Sequence, residues 1–351
     1  MDVRLSPEQV ALRDSAAQVV RRLGPQAVGQ LDDAERVAKL DAAVTAAGWR
    51  ELRGADETGA PWASAVEVAL VAEELGRGLG DVPYLGPTLA AELRRLTGAA
   101  APATETETVA FDAGLRSLAG AVDGSVPAGT VAVDARGATG ALVLEAGPSG
   151  SRVGQVALPS GEVPVDLTRP SVPLPGPTQV APLEGSPLTD DDIARWTALG
   201  LALTCADLVG TMRGAVELAR EYASSRKQYG VTIGSFQAVQ HLMADAHVAT
   251  EGSRSAALHA AWAVDALPPS EALAAAALAK AYCARAARPV CETAIQVHGG
   301  IGNTWECLAH VHLRRALLSS DVLGGADASL DRVLAHHGIG HHETGTAHGL
   351  R

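Results

Sequence analysis

The spacing of apolar residues changes twice along this 351-residue chain, and the two changes restrict the fold that it can adopt. From residue 6 to about residue 96, apolar residues recur at helical intervals. Residues 99 to about 187 are rich in Thr, Val, Gly and Pro, with short alternating runs typical of β-strands. Helical spacing returns from residue 189 to about 334. The pattern predicts a mainly α fold that contains a small β domain.

Local signals mark the ends of the predicted N-terminal helices. Ser6 followed by Pro7 and Glu8 is typical of a helix start, and Gly24 followed by Pro25 is typical of a helix stop. Further helices are predicted at residues 40–52, around a tryptophan, and at 63–79, followed by a break at 80–87.

The middle and C-terminal parts have clear candidate elements. Strands are predicted in the runs TVAFDA, TVAVDA, ALVLEA and RVGQVALP. Four long helices are predicted at residues 190–226, 234–267, 270–298 and 305–334, the last split near Gly324. Their alanine-rich faces favour close helix packing in a bundle and across subunits. The predicted domains are residues 1–98, 99–187 and 188–335, followed by a flexible tail at 336–351.

Charge and hydropathy exclude several classes of function. The 40 acidic and 28 basic residues give a formal charge of −12, which disfavours a nucleic-acid-binding surface. The N-terminus is charged where a signal peptide needs an apolar core, and no uninterrupted apolar run approaches membrane-spanning length. We therefore expect a cytoplasmic protein with no membrane partner.

Cysteine and histidine spacing does not favour a metal site. The four cysteines lack close CxxC spacing and are predicted to be buried thiols. His310 and His312 are two residues apart, so they do not share a helix face. The histidines at 336, 337, 341 and 342 belong to a glycine-rich tail in which a solvated role is expected. The prediction is that the chain has no metal.

Two segments carry the candidate functional residues. RKQYGVTIGSFQAVQ begins at Arg226, and QVHGGIGNTWE begins at Gln296. Arginine, amide side chains and glycines suit a dinucleotide pyrophosphate, because charged donors neutralise phosphate and glycine lets the backbone approach closely. The alternative is a purely structural role. Arg226 would then cap its helix, and Gly299 and Gly300 would end theirs, without binding a ligand.

In this order and between long helices, the two segments resemble the C-terminal helical domain of the acyl-CoA dehydrogenase family. The resemblance extends to LSPEQVALRDSAAQVVRRLG, VALVAEELGRGLGDVPYLGP and VPVDLTRP, and is weakest in the centre. It implies an N-terminal helical domain, a reduced central β-barrel or sheet, a four-helix bundle, and FAD as cofactor. The implied cofactor-binding residues are Arg226 at the pyrophosphate, Gln228 and the Phe236–Gln237 pair towards the adenosine, and Gln296 at the pyrophosphate and ribose. Tyr229 offers an aromatic edge beside them, and Gly299 and Gly300 permit close approach of the backbone. Trp305 and Glu306 are assigned to the start and packing of the next helix.

The chain departs from the family at the catalytic base. The family removes a proton with a glutamate while FAD accepts a hydride. The two positions where the resemblance places that glutamate hold Leu323 and Gly200. Asp321 and Asp207 are the nearby acids that could act as a relocated base, although both should point elsewhere on a regular helix. The central segment also lacks a counterpart of the family motif that binds the flavin ring.

The resemblance therefore implies a short, non-catalytic subunit of a heteromeric α2β2 acyl-CoA dehydrogenase, as found in actinobacteria. Such a subunit would share FAD with a homologous catalytic partner acting on acyl-CoA, including steroid side-chain thioesters. Two alternatives stay open: a homomeric flavoprotein with a relocated base, and a scaffold that binds neither flavin nor acyl-CoA.

Overall fold

The computed structural model describes residues 4–31, 33–100, 106–147, 150–161 and 165–339. Within these residues, four helices precede the strands of a small sheet, and five helices follow it. The helices are α1 Pro7–Leu23, α2 Ala34–Ala46, α3 Ala65–Arg77, α4 Leu85–Thr97, α5 Asp190–Ser225, α6 Gln237–Ala266, α7 Pro269–His298, α8 Ala309–Asp321 and α9 Ala326–His336. The mainly α fold with a small β region is confirmed, while the exact domain boundaries stay predictions.

Capping explains why α1 begins where the sequence predicts. The Ser6 hydroxyl accepts a hydrogen bond from the backbone N–H of Gln9, and the Gln9 side chain accepts one from the backbone N–H of Ser6. This capping box satisfies two N–H groups that a helix start would otherwise leave unpaired. The predicted stop at Gly24 is also confirmed.

Two predictions in the N-terminal region are wrong. The helix expected at 40–52 spans Ala34–Ala46, because Asp33 caps it early and Gly48, at φ 64°, turns the chain before Trp49. Trp49 is nevertheless buried. The break expected at 80–87 is shorter, since α4 already begins at Leu85.

The strands form one main sheet and two small pairs. They are β1 Glu107–Phe111, β2 Gly120–Ala121, β3 Ser125–Val126, β4 Val131–Val133, β5 Gly140–Gly147, β6 Gly150–Ala157, β7 Val172–Pro173, β8 Thr178–Gln179, β9 Ala181–Pro182, β10 Lys227–Gln228 and β11 Val231–Thr232. The sheet order is β7-β4-β1-β5-β6-β9, with β2 also on β5. β5 and β6 form an antiparallel hairpin, and β1 runs parallel to β5. All four predicted strand runs are confirmed.

Helix α5 is the central helix of the C-terminal bundle. Its predicted start is confirmed, because Thr189 and Asp192 form a second capping box. Among the described helices, α5 could cross a membrane by length and composition alone, but 89% of its apolar window is buried inside the fold. Burial of that kind is the property of a core helix.

The other C-terminal helices have shifted ends. The predicted split near Gly324 is confirmed between α8 and α9. Helix α6 starts at Gln237, after a 3-10 turn at Ile233–Ser235, rather than at 234. Trp305 and Glu306 do not begin a helix, since α8 starts only at Ala309.

Helices α3 and α5 approach so closely that glycine is needed at their crossing. A Cβ atom at Gly210 would lie 1.9 Å from the backbone oxygen of Glu73, and one at Gly76 would lie 2.6 Å from that of Asp207. Only a residue without a side chain fits such a contact. The two glycines therefore set the distance between the N-terminal helices and the bundle.

A buried ion cluster around Asp207 joins distant parts of the chain. Asp207 Oδ1 accepts from Arg315 Nη2 at 2.6 Å, and Asp207 Oδ2 lies 3.1 Å from Arg169 Nη1. Arg315 Nη1 also donates to the backbone oxygen of Gly80 at 2.9 Å, and Arg169 Nε donates to Asp166 at 3.0 Å. Two arginines and two aspartates thus compensate one another inside the protein.

We predict that Asp207→Asn destabilises the fold by about 3–5 kcal/mol, because it leaves two buried arginines without their shared anion while hardly changing volume. Urea unfolding followed by circular dichroism measures the loss. Asp331→Asn on the exposed face of α9 is the matched control and should change stability by less than about 0.5 kcal/mol. Equal stability of the two variants would contradict a joining role for the cluster.

Candidate functional site

A tight hairpin at the end of α5 presents the first candidate segment. Arg226 is the C-terminal cap of the helix, as predicted, and its backbone N–H donates to Tyr222 O at 2.8 Å. Strands β10 and β11 then pair across a turn in which Tyr229 and Gly230 have φ angles of 52° and 83°. Two left-handed residues are what a two-residue hairpin turn requires. The hairpin holds Arg226 and Gln228 on the surface at the end of the bundle.

Aromatic side chains stand exposed beside this hairpin. Tyr229 is 95% exposed, and its ring meets that of Phe236 edge to face at a centroid distance of 6.4 Å. Phe236 is the residue before α6, and Gln237 is the first residue of the helix. A large exposed aromatic pair is typical of a surface that another molecule covers.

The second candidate segment lies against the first. The rings of Tyr222, one turn before Arg226, and His298 stack at 4.5 Å. Gln296 lies exposed in the last turn of α7. Gly299 caps that helix at φ 66°, which confirms the predicted cap, and a Cβ atom at Gly299 or Gly300 would meet nothing within 4 Å. The chain therefore brings the two segments to one end of the bundle.

The residues at this end fit the anionic part of a dinucleotide. Among the described residues, no ion pair or side-chain hydrogen bond engages Arg226, so its guanidinium is free to bind phosphate oxygens. The open backbone at Gly299 and Gly300 permits close approach of a ligand. All eight predicted residues are exposed, including Gln228, Tyr229, Phe236, Gln237 and Gln296. Their individual roles stay predictions.

The two positions at which the resemblance places a base meet inside the fold. Leu323 is fully buried between α8 and α9 and has a φ of 63°. Its Cδ1 atom lies 2.3 Å from where a Cβ atom of Gly200 would be. An apolar contact therefore stands where a carboxylate would be needed for proton removal.

Neither candidate for a relocated base is suited to that role. Burial alone would raise the pKa of Asp207, but Arg169 and Arg315 hold the pKa of this carboxyl below its usual range. Asp207 is therefore committed to its ion cluster. Asp321 is exposed at the end of α8, whereas Leu323 two residues later is buried.

A loop that the sequence analysis missed covers the Leu323 position. The carboxylate of Asp112 accepts hydrogen bonds from the backbone of Gly114 and of Arg116 and from the hydroxyl of Ser117. The backbone oxygen of Leu115 then accepts from Gly324 N at 3.0 Å. An aspartate followed by a glycine two residues later is a loop signal that the sequence does contain. This hydrogen bond ties the loop to the residue after Leu323.

Comparisons with known proteins agree with this architecture. A model of the acyl-CoA dehydrogenase C-terminal domain matches residues 198–338. The chain is 31% identical over 289 residues to the acyl-CoA dehydrogenase IpdE2 of Mycolicibacterium smegmatis, covering 80% of this chain and 81% of that protein. The chain belongs to the acyl-CoA dehydrogenase family. Members of this family are oxidoreductases, and the recognition made from the two segments is confirmed.

Solved acyl-CoA dehydrogenase-like structures share the whole fold. The ChsE4-ChsE5 complex from Mycobacterium tuberculosis contains a chain that superposes with a TM-score of 0.76 at 24% identity, covering 96% of this chain and 99% of that one. A variant of the Tcur3481-Tcur3483 steroid acyl-CoA dehydrogenase matches with a TM-score of 0.76 at 21% identity, covering 94% and 98%. The FAD complex of PigA has a TM-score of 0.70 at 19% identity, covering 97% and 100%.

The environments of most cysteine and histidine residues of this acyl-CoA dehydrogenase family member indicate structural roles. All four cysteines are buried, as predicted. Burial and the nearby Arg315 lower the pKa of His312 to about 3, while His310 packs against the Trp305 ring. Within the described part of the chain, no group of three or more His, Cys, Asp or Glu side chains could hold a metal ion. His341 and His342 lie outside the described residues.

We predict energetic coupling between Gly200 and Leu323. Gly200→Ala in the natural chain pushes the new methyl group against Leu323, an overpacking that costs about 1–3 kcal/mol and opposes the gain in helix propensity of about 1 kcal/mol. In a Leu323→Ala background the clash is gone, so the same substitution should become more favourable by at least about 1 kcal/mol. A double-mutant cycle by urea unfolding measures this coupling. Additive effects would show that the two side-chain positions do not touch.

Proposed function

We propose that this chain is the non-catalytic subunit of an FAD-dependent acyl-CoA dehydrogenase, assembled with a homologous catalytic subunit as a cytoplasmic α2β2 heterotetramer. In this proposal Arg226, Gln228, Gln296 and the glycines Gly299 and Gly300 contribute to binding the ADP part of an FAD whose ring the partner holds. The observation that carries the proposal is the apolar contact between Leu323 and Gly200 at the two positions where a base is expected, while Arg226 stays exposed at the far end of α5.

The distribution of burial supports a split site. The residues suited to phosphate are exposed, and among the described residues the Arg226 side chain has no ion pair or hydrogen bond. Both base positions, by contrast, are buried and apolar. A catalytic subunit would need an acidic side chain in place of Leu323, because proton abstraction requires a carboxylate within hydrogen-bond reach of substrate. When bound, FAD supplies hydride acceptance, and this chain orients its phosphates.

An exposed apolar surface supports assembly with another chain. Besides Tyr229 and Phe236, the first half of α6 exposes Leu242 and Val248, the latter by 69%. Monomeric proteins rarely leave several large apolar side chains exposed on adjoining elements. The ChsE4-ChsE5 neighbour is a complex of two named chains, and the Tcur3481-Tcur3483 neighbour is a steroid acyl-CoA dehydrogenase. We therefore propose a homologous subunit as the partner and a bulky acyl-CoA, including steroid side-chain thioesters, as the substrate.

We predict that the chain purified alone is colourless and that its complex with a base-containing homologous subunit is yellow. In a split site this chain provides only the contacts to the ADP part of FAD, so high-affinity binding of FAD needs both subunits. Absorption between about 350 and 500 nm, normalised to protein, is the measurement. A yellow single chain would favour a homomeric flavoprotein, and a stable colourless complex would favour a scaffold.

We further predict that Arg226→Ala weakens FAD binding in that complex by roughly tenfold or more, because a charge-assisted hydrogen bond to phosphate is lost. FAD retention after gel filtration and a fluorescence titration of the apo-complex measure the effect. Arg220→Ala, on the exposed surface of the same helix, is the matched control and should bind FAD normally. Arg226→Lys keeps the charge without the fork of donors and should fall between the two. Unchanged FAD affinity in Arg226→Ala would reject this residue as a phosphate ligand.

A further inference from the structure

Cys307 has surroundings that differ from those of the other three cysteines. Cys205, Cys283 and Cys291 are fully buried inside the long helices α5 and α7, and burial raises the pKa of Cys291 to about 12. Cys307 lies outside any helix, between α7 and α8, and keeps 8% of its surface exposed. Of the four thiols, this one has the most contact with solvent.

The start of α8 stabilises negative charge on the Cys307 sulfur. Cys307 Sγ accepts a hydrogen bond at 3.5 Å from the backbone N–H of Ala309, the first residue of the helix. The partial positive charge at the start of a helix favours an anion there. A helix N-terminus is one of the environments that lower the pKa of a cysteine, so this contact favours loss of the thiol proton.

His298 is placed to take that proton. Its Nδ1 lies 2.7 Å from the backbone oxygen of Ala294. A carbonyl oxygen can only accept, so Nδ1 carries the ring proton and Nε2 is left as an acceptor. The Cys307 thiol is the side chain to which the His298 ring is hydrogen-bonded. Stacking on Tyr222 at 4.5 Å fixes the plane of the ring.

The contact between Cys307 and His298 shifts the pKa of each group in the direction that favours an ion pair. Burial alone would raise the pKa of Cys307, but the hydrogen bonds with His298 and Ala309 bring the pKa of this thiol below its ordinary value. Burial alone would lower the pKa of His298, but its bonds with Cys307 and Ala294 raise the pKa of this imidazole. Thiolate beside imidazolium is the state in which a cysteine is nucleophilic.

We propose that Cys307 is a peroxide-reactive thiol and that His298 is its proton acceptor and donor. The thiolate sulfur attacks one oxygen of hydrogen peroxide, so an S–O bond forms while the O–O bond breaks. The sulfur loses two electrons and becomes a sulfenic acid. The leaving hydroxide takes the proton of the His298 imidazolium and becomes water. Hydrogen peroxide suits this thiol because it is small and the exposed surface of Cys307 is limited.

The first test uses the other three cysteines of the chain as internal controls. The purified full-length protein is treated with micromolar hydrogen peroxide in the presence of dimedone, which traps sulfenic acid, and the labelled peptides are identified by mass spectrometry. Cys307 should be labelled at least about tenfold faster than Cys205, Cys283 or Cys291, because only its thiolate is stabilised. Equal labelling of the four cysteines, or no labelling of Cys307, would overturn the proposal.

The second test measures the ion pair itself. Cys307→Ser should remove a thiolate absorbance at about 240 nm from the natural chain at neutral pH. His298→Gln, which can still donate to Ala294, should lower both this absorbance and the rate of Cys307 labelling, the rate by about tenfold. His310→Gln, a neighbouring histidine that packs against Trp305, is the matched control and should leave both unchanged.

Two further results would reject the proposal. They are a spectrum that Cys307→Ser does not change, and natural absorbance and labelling in His298→Gln. Circular dichroism and thermal melting establish that each variant is folded. If His298→Gln unfolds, the comparison of the four cysteines in the natural chain still decides. Neither test involves FAD, so failure here is distinct from failure of the function proposed from Arg226.

Discussion

The buried ion pairs of Asp207 are the interaction on which the arrangement of the whole chain depends. One carboxylate on α5 binds Arg315 from α8 and Arg169 from the segment after the sheet, and Arg315 reaches on to the backbone of Gly80. Breaking such a pair leaves an uncompensated buried charge, which is far costlier than losing a surface salt bridge. The N-terminal helices, the central segment and the bundle are therefore held in one geometry, and that geometry brings Leu323 against Gly200.

A further buried cation, Lys280, fixes the junction of α8 and α9 that contains Leu323. Lys280 on α7 is fully buried and donates to Thr204 Oγ1 at 3.0 Å, to Val322 O at 3.0 Å and to the backbone oxygen of Ser319. Burial lowers the pKa of Lys280 to about 8. These bonds hold the end of α8 and the residue before Leu323 by main-chain oxygens. The side chain of residue 323 takes no part in these hydrogen bonds. The junction therefore keeps its shape with leucine in place of a carboxylate.

Local signals in the sequence were sufficient for much of the fold. The starts of α1 and α5 depend on side chains three residues apart, Ser6 with Gln9 and Thr189 with Asp192, so capping rules find them. Apolar periodicity alone misplaced α2 around Trp49, because a buried tryptophan does not show whether its backbone is helical. The Asp207 cluster could not be predicted from local sequence signals, because Arg315 is 108 residues away along the chain. For the same reason the sequence located both base positions but not their contact, nor the loop that covers them.

The two halves of the candidate site differ in what the fold requires of them. Arg226 is exposed, so its charge is solvated when nothing is bound, and the isolated chain loses no stability by keeping it. A glutamate at residue 323 would instead be buried in an apolar contact, where ionisation carries a large desolvation penalty unless substrate or cofactor compensates. A chain that leaves proton transfer to a partner can therefore replace the buried acid with leucine and improve its packing. It gains nothing by losing the exposed residues around Arg226, so physical chemistry favours the combination seen here: an apolar contact at Leu323 and Gly200 together with an exposed Arg226 at the far end of α5.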